Sequence, residues 1–410
     1  MAASSGAIPQ KNNKRADRRK EMTSEGVSHG YSEKPIAGNM DYPFLIILMT
    51  LLAIGITMMF SASYAWAIQE GLEGTYYAKK QIAMAAVGII FMLITAHFDY
   101  HILRKPIIVF GLFGVATVLM LLCRIGPFTD PHNYSYRWVK IGPLPSFQPS
   151  EIMKLAVIVL FSYLISINYS KLKYAKYGVL PFMLCLGFVI GLMAIQPHIS
   201  GTIIICAIGI VMMFVGGTNI KHIMILGIIG VTGLVLLVLL LSAKFGFTYF
   251  EDRMISWRDP FNENAPAQTW QTKNSLIAIG SGGLFGLGFG NSRQKFLYLP
   301  EAKNDFVFAV VCEELGFIGA IVVIVLFLLF IGRGFFIASR AFDKFGMMLA
   351  TGLTVQIGIQ ALLNIAVVTN TIPNTGVSLP FFSYGGTALI MQLIQMGVIL
   401  SVSRYTSSDE

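Results

Sequence analysis

Long runs of apolar residues alternate with short polar connections along most of the chain. A helix that crosses a bilayer needs about 20 mostly apolar residues, and ten segments of this sequence fit that requirement. They are 43–64, 80–96, 106–123, 151–168, 178–196, 201–216, 222–242, 306–331, 346–368 and 384–403. The pattern predicts an all-α polytopic membrane protein with ten transmembrane helices, in which 178–216 forms either two helices or one broken helix.

Polar residues dominate both ends of the chain and one long connection. Residues 1–41 contain a basic run but no apolar run within the first 30 residues, which predicts a disordered cytoplasmic tail and no cleavable signal peptide. The membrane domain is expected at 42–405, followed by a short tail, 406–410. Because most connections have about 4–6 residues, the long connection 243–305 is predicted to be functional.

The positive charges predict the orientation of the helices. Of the 30 Lys and Arg residues, 17 lie in the tail and in the loops on the same side of the membrane as the tail. Short cytoplasmic loops carry an excess of Lys and Arg, whereas long loops count little. Both termini are therefore expected in the cytoplasm, and loop 243–305 is expected outside.

Composition supports a membrane protein and excludes other classes. The chain is 55% apolar and 12% charged, with a mean hydropathy of +0.68, whereas soluble domains are about 45–50% apolar and about 25% charged. Its four cysteines lie in apolar runs at no metal-ligand spacing, so they are expected to be small buried apolar residues.

Charged residues within the spans suggest functional sites, because such residues are costly in a membrane. Glu151 and Lys154 lie three residues apart on one helix face, where they can pair. Pro149 suits the start of that helix, and Ser150 or Glu151 could cap it. The pair fits a structural ion bridge or a substrate site equally well. The adjacent Glu313 and Glu314 lie two turns into the eighth span, as structural carboxyls or as part of a cavity.

Amide side chains form stripes on the last two spans. Gln356, Gln360 and Asn364 recur every fourth residue, and Gln392 and Gln395 are three apart. Such stripes most often join helices by hydrogen bonds, and lining a polar cavity is the alternative.

Two outer segments are unusual. The glycine-rich stretch 280–290 lacks the strand and the Gly-Lys-Ser/Thr ending of a phosphate loop, and it fits backbone held at the membrane interface near a partner or lipid. The uncharged, Pro- and Gly-rich loop 370–386 suggests a re-entrant element that borders a site. Asp305 is the last charge before the eighth span, so it could be a general base with a raised pKa. Alternatively, Asn304 or Asp305 could cap that helix.

These motifs together resemble the SEDS family, the shape, elongation, division and sporulation proteins. The matches run in order along the chain, and several specify more than five residues. They include Arg137-Trp138 with Gly142, Gln148 to Lys154, Gln196-Pro197, Arg253 to Pro260, Gln271, Ser275, Gly280 to Gly290, Gln294-Lys295, Leu299 to Phe306, Glu313 to Gly316, Asn364, and Leu379 to Gly386. The division (FtsW) and sporulation (SpoVE) branch is more similar than the elongation (RodA) branch. One departure is His198, where the family often has Asp.

The resemblance implies a fold, an activity and a set of site residues. It implies ten helices and a peptidoglycan glycosyltransferase that polymerises lipid II at the outer face of a bacterial cytoplasmic membrane, in septal synthesis during division. Asp305 matches the catalytic carboxylate of the family's LPExxxDF pattern. The residues expected to bind substrate are Arg137, Trp138, Glu151, Lys154, Arg253, Gln271, Lys295, Glu301, Glu314 and Ser383.

The implied partners are lipid II, a class B penicillin-binding protein and membrane proteins of the divisome; nucleic acid is not implied. The departing pyrophosphate needs positive charge from Arg, from Lys or from a divalent cation such as Mg²⁺ or Mn²⁺, and no organic cofactor is implied. The alternatives are a lipid II flippase, a solute transporter, a scaffold that only recruits a transpeptidase, and an elongation or sporulation polymerase.

Overall fold

The computed structural model describes residues 37–125, 129–132, 135–140, 142, 146–196, 199–225, 227, 248–262 and 267–405. Most of this part of the chain is helical. The helices are α1 (Tyr42–Gln69), α2 (Tyr76–His97), α3 (Pro106–Leu122), α4 (Pro149–Asn168), α5 (Ala175–Gly178), α6 (Leu180–Ile195), α7 (Ile199–Val215), α8 (Thr248–Arg258), α9 (Ala267–Ser281), α10 (Val307–Ser339), α11 (Lys344–Val368) and α12 (Gly386–Arg404). Short 3₁₀ turns cover Tyr100–Arg104 and Tyr169–Lys171.

Nine of the predicted spans coincide with described helices. Seven helical segments of the described residues are long and apolar enough to cross a membrane, and Pro106–Leu122 and Ser200–Val215 are shorter apolar helices. The stretch 178–216 forms two helices, α6 and α7. The structure does not describe most of the predicted span 222–242, most of tail 1–41, or residues 197–198 and 406–410. The count of ten and the orientation of the termini stay predictions.

Helices α4, α11 and α12 form the centre of the bundle. They are the most buried of the long helices, whereas α2 and α10 keep much of their apolar surface exposed, as lipid-facing helices do. Helix α12 packs along α2, and α11 packs against α10 and α4. At the α2–α12 contact a Cβ on Gly397 would lie 2.4 Å from the carbonyl oxygen of Met92. A small residue at this position is what lets the two backbones approach.

A two-stranded antiparallel hairpin follows α3, a short element that the prediction of a mostly helical protein did not include. Strand β1 (Thr129–His132) pairs with β2 (Ser135–Val139), with Asp130 opposite Trp138. Val139 then exchanges backbone hydrogen bonds of 2.9 and 3.0 Å with Phe147, just before α4. The residues of β2 include Tyr, Trp and Val, which favour strands. A prediction based on long apolar runs overlooks such a short polar hairpin.

The described part of the long connection 243–305 contains helices as well as loops. Helices α8 and α9 are joined by a 2.8 Å hydrogen bond between the hydroxyls of Ser256 and Thr269. The Ser275 hydroxyl of α9 donates to the carbonyl oxygen of Val368 at 2.8 Å, at the end of α11. The connection is therefore fastened to the helical bundle.

Helix α10 is interrupted at Gly316, where φ is 68° and ψ is −168°. The glycine-rich stretch fills the break, because Leu287 and Gly288 donate backbone hydrogen bonds to the carbonyls of Glu313 and Glu314 at 2.9 and 3.1 Å. A Cβ on Gly286 would lie 2.1 Å from the carbonyl oxygen of Glu314. These glycines therefore serve close packing against the protein's own helix.

Candidate active site

Asp305 lies on an irregular segment, residues 301–306, that leads into α10; we call this segment the Asp305 turn. Three successive carbonyl oxygens of the turn accept hydrogen bonds from later parts of the chain. The Lys303 oxygen accepts from the Tyr384 amide at 2.8 Å, the Asn304 oxygen from the Ser383 hydroxyl at 2.6 Å, and the Asp305 oxygen from the Asn364 side chain at 2.7 Å. The backbone that presents Asp305 is therefore held by a hydrogen bond at Lys303, at Asn304 and at Asp305.

The side chains proposed as helix caps have other surroundings. The N-cap residue of α10 is Phe306, and no side chain caps this helix. Helix α4 begins at Pro149 as predicted, but its N-cap is Gln148 and again no side chain caps it. The capping interpretations of Asp305, Asn304, Ser150 and Glu151 are therefore wrong, and the Asp305 carboxyl is not occupied by a cap.

The surroundings of the Asp305 carboxyl raise its pKa to about 6. Burial is the largest cause, and the negative charge of Glu301 acts in the same direction, whereas Arg137 and Arg253 act against it. Glu301 itself accepts a 2.5 Å hydrogen bond from the Asn304 side chain. The four charged groups thus lie close enough to influence one another, as a site for acid–base chemistry requires.

The loop that connects α11 and α12, residues 369–385, forms one wall of the site. A Cβ on Gly376 would lie 3.2 Å from Oδ2 of Asp305, and the φ of Gly376 is +68°. Arg253 on α8 donates a hydrogen bond to the carbonyl oxygen of Asn374. The Asn374 side chain donates to Gln271 on α9 at 3.1 Å. The 369–385 loop, which the predicted orientation makes the last outer loop, therefore joins α8 and α9 to the Asp305 turn.

The same loop reaches into the helical bundle, as predicted for a re-entrant element. Phe381 and Phe382 are buried, and Phe381 has a φ of 66°. A Cβ on Gly55, at the middle of α1, would lie 2.4 Å from the carbonyl oxygen of Phe381. Gln392 of α12 accepts a 3.2 Å hydrogen bond from the Phe381 amide. Side chains and close packing thus support non-helical backbone inside the bundle.

Glu151 and Lys154 form a buried pair in the first turns of α4. Their charged atoms are 2.8 Å apart. Lys154 also lies 3.4 Å from the side-chain oxygen of Gln360, whose amide donates to the carbonyl oxygen of Ser378 at 3.1 Å. A chain of polar contacts therefore connects this pair with the loop that borders Asp305.

Lys295 and Glu314 form a second buried pair, 2.8 Å apart. Lys295 donates a hydrogen bond to the Ser61 hydroxyl of α1, and this hydroxyl donates one to Glu314. The neighbouring Glu313 accepts from the Ser292 hydroxyl at 2.5 Å and from the Arg293 amide at 2.9 Å. Both glutamates are thus hydrogen-bonded inside the protein and fasten residues 290–295 to α10. Substrate contacts of Lys295 and Glu314 stay predictions.

The other predicted site residues lie around the Asp305 turn. Ser383 is buried, donates to Asn304, and accepts from the Leu379 amide at 2.7 Å. Trp138 is partly exposed on β2, next to Arg137. The structure therefore brings Arg137, Arg253 and Glu301 to Asp305, and it uses Ser383 to hold the backbone.

The described contacts of the amide stripes are hydrogen bonds, the first of the two roles considered for them. The Gln356 side chain donates to Gln395 at 2.8 Å, which joins α11 to α12 as the first interpretation predicts. Asn364 donates to the carbonyl oxygens of Asp305 and Val377 at 2.7 and 2.6 Å. Sequence reasoning missed that Asn374 and Gly376 shape the site. The Pro-Asn-Thr-Gly sequence at 373–376 is the signal of a tight turn that could have indicated both.

The described residues give no metal centre from their own ligands. Among them, no three His, Cys, Asp or Glu side chains lie together in a way that could hold a metal ion. Near Asp305 the described positive charge comes from Arg137 and Arg253.

Comparisons with known proteins agree with the motifs and the fold. The model of a family described as "Cell cycle protein" (FtsW, RodA and SpoVE) matches residues 42–408. Stage V sporulation protein E of Bacillus subtilis (strain 168) is 39% identical over 372 residues, which cover 89% of this chain and 97% of that protein. A probable peptidoglycan glycosyltransferase FtsW of Geobacter sp. (strain M18) is 35% identical over 364 residues, 88% of this chain and 96% of that protein.

A solved structure supports the same fold. A chain from the structure described as "Structural coordination of polymerization and crosslinking by a peptidoglycan synthase complex" is 24% identical, with a TM-score of 0.72. The match covers 90% of this chain and 99% of that one. The arrangement of helices is therefore shared with that synthase component.

Proposed function

This chain belongs to the FtsW/RodA/SpoVE family, the SEDS proteins, and we propose that it is a peptidoglycan glycosyltransferase that polymerises lipid II. The family match covers nearly the whole membrane domain, and relatives that share its length are named as peptidoglycan glycosyltransferases. The observation that carries the proposal is the Asp305 carboxyl, which has a raised pKa, lies beside two arginines, and sits on a backbone held at three successive residues.

The reaction would begin when a sugar hydroxyl of one lipid II attacks the anomeric carbon of the growing chain. Such a hydroxyl is a weak nucleophile, since its pKa is far above 7, and it needs a base as it attacks. The Asp305 carboxylate takes the proton of the 4-hydroxyl of the GlcNAc unit. The bond between the anomeric carbon and the lipid pyrophosphate breaks at the same carbon, and the configuration there inverts.

The departing pyrophosphate gathers negative charge that the protein must stabilise. Arg137 and Arg253 are the nearest candidates, because both act electrostatically on Asp305. Planar guanidinium groups bind phosphate oxygens through two parallel hydrogen bonds. Lys154 is a further candidate, because Gln360 connects it with the last outer loop. A divalent cation brought with the pyrophosphate would add to this charge, but no step here depends on it.

We place the reaction at the outer face of a bacterial cytoplasmic membrane, in septal synthesis, with a class B penicillin-binding protein as the partner that cross-links the strands. The charge pattern of the loops supports this orientation. Similarity to sporulation and division relatives supports a polymerase of that branch over an elongation enzyme.

The test is polymerisation of lipid II by the purified protein, alone and with its cognate transpeptidase. Asp305→Asn should abolish strand formation and leave the thermal stability of the detergent-solubilised protein unchanged, because it removes the base and keeps the shape. Glu73→Gln is the matched control, since Glu73 is an outer carboxylate that is 73% exposed and paired with Lys79.

Equal strand formation by wild type and Asp305→Asn would reject the assignment of the base and favour a scaffold. If the wild type with its partner forms no strands but moves lipid II across a vesicle bilayer, the protein is a flippase.

A further inference from the structure

Lys303 lies on the Asp305 turn, but its side chain is directed to a different part of the molecule. Its ammonium lies 3.8 Å from the ring centroid of Tyr77 and 5.7 Å from that of Trp66. It also lies 3.3 Å from the carboxylate of Glu70, and only 14% of the side chain is exposed. Three groups from α1, α2 and their connection thus surround one lysine of the turn.

This cluster is built to hold a positive charge. The faces of aromatic rings attract cations, and the attraction grows as water is excluded. A hydrogen bond donated by Tyr77 is the largest cause that lowers the pKa of Glu70; burial opposes it, and Lys303 adds to the lowering. Glu70 is therefore a carboxylate at neutral pH, and it meets Lys303 and Tyr77 with its two oxygens.

The cluster is also continuous with the residues that hold the turn. The Tyr77 ring packs edge-on against that of Tyr384, with centroids 5.0 Å apart. The Tyr384 amide donates to the carbonyl oxygen of Lys303 at 2.8 Å. Gln81 of α2 donates to the carbonyl oxygen of Ser383 at 3.1 Å. The outer ends of α1 and α2 thus contact the turn through the side chain of Lys303 and through the segment that holds its backbone.

We propose that Lys303 is a positioning residue, whose ammonium fastens the Asp305 turn to the outer ends of α1 and α2 and thereby fixes the direction of the Asp305 carboxylate. This inference rests on the proposed function, because it concerns the geometry of the same carboxylate. The three carbonyl contacts fix the backbone from the side of α11 and the last outer loop. Lys303 adds a contact with α1, α2 and their connection, which come earliest in the described chain.

The experiment compares Lys303→Met, Lys303→Arg and wild type in lipid II polymerisation. Methionine keeps the length and apolar stem but removes the charge, whereas arginine stacks on aromatic rings and pairs with carboxylates. Lys303→Met should lower kcat about 10- to 100-fold with KM within twofold, because a small displacement of a catalytic group is costly. Lys303→Arg should recover most of kcat.

Two further measurements separate positioning from general stability. The double variant Lys303→Met with Glu70→Gln should be no slower than Lys303→Met alone, because both substitutions remove the same ion pair. Hydrogen exchange of the backbone amides should increase in residues 301–306 of Lys303→Met and stay unchanged in α11. Lys79→Met is the matched control: Lys79 pairs with Glu73 on the same side of the molecule, is 66% exposed, and should leave kcat unchanged.

The proposal is overturned if Lys303→Met keeps kcat within twofold of wild type, or if Lys303→Arg is as slow as Lys303→Met. If Lys303→Met does not fold, Glu70→Gln is used instead, because it removes the other charge of the same ion pair. An unchanged kcat of Glu70→Gln then rejects the proposal. Wild type and Asp305→Asn are measured in parallel. An inactive wild type then counts against the proposed function, whereas with an active wild type the Lys303 variants alone decide the role of Lys303.

Discussion

The pH below which polymerisation is lost, its acidic limit, should report the pKa of Asp305. A general base acts only when it is ionised, so activity should be lost as the pH falls through about 6, the pKa that burial and Glu301 give this carboxyl. A group with that pKa is about nine-tenths ionised at pH 7 and about one-tenth ionised at pH 5. The value of kcat/KM at pH 5 should therefore be about tenfold below its value at pH 7.

Two substitutions should move this limit in opposite directions. Glu301→Gln removes a negative charge that raises the pKa of Asp305, so the limit should move to lower pH. The amide oxygen of glutamine can still accept the hydrogen bond from Asn304. Arg253→Gln removes a positive charge that lowers the pKa, so the limit should move to higher pH.

The assay is initial-rate polymerisation of lipid II between pH 5 and 8, with Asp305→Asn as the baseline and Glu73→Gln as the control. Enzyme returned from pH 5 to pH 7 must recover its full rate, which excludes acid denaturation. A rate that is constant from pH 5 to 7, or a Glu301→Gln limit that moves to higher pH, would refute the electrostatic description of the site.

Two further predictions concern the elements that support the site. Gly286→Ala should lower the melting temperature of the solubilised protein, because the new Cβ would lie 2.1 Å from the carbonyl oxygen of Glu314 at a φ of +80°, and backbone strain costs about 1–3 kcal/mol. Gly280→Ala is the control and should keep the melting temperature, because its Cβ would enter open space. Equal melting temperatures of the two variants would contradict this account. Lys295→Met should destabilise the protein by about 3–5 kcal/mol in denaturant unfolding, because it leaves the buried Glu314 carboxylate without its partner. The double variant Lys295→Met with Glu314→Met should recover part of that loss, and a double variant less stable than the single one would show that the pair is not the cause.

Hydropathy predicts the spans well because the bilayer requires continuous apolar helices. Predicted limits such as 346–368 lie close to the observed helix Lys344–Val368. The hairpin of β1 and β2 and the helices α8 and α9 were not predicted. Outside the apolar spans no continuous apolar helix is required, and short polar elements carry a weak periodic signal. The break in α10 was missed for a different reason. Glycine is a common residue of an apolar span, and only the structure shows that the backbone of Gly286 packs against Gly316.

The sequence could propose Asp305 as the base, but it could not predict the surroundings of that carboxyl. Resemblance to a family motif points to Asp305 and to arginines far away along the chain. The contacts of Asn364 and Ser383 with the Asp305 turn span 59 and 79 residues. No local pattern encodes such contacts, because they exist only after the helices have packed.

These long separations also determine when the site can form during synthesis. Chains are made from their N-terminus, so the Asp305 turn is synthesised well before Asn364, Ser383 and Tyr384, which bind its three carbonyls. A nascent chain that has inserted α10 but not the later residues therefore holds the carboxylate on a segment that lacks these three backbone contacts. The catalytic geometry is completed only when the last outer loop has entered the bundle, which makes polymerase activity a property of the finished chain.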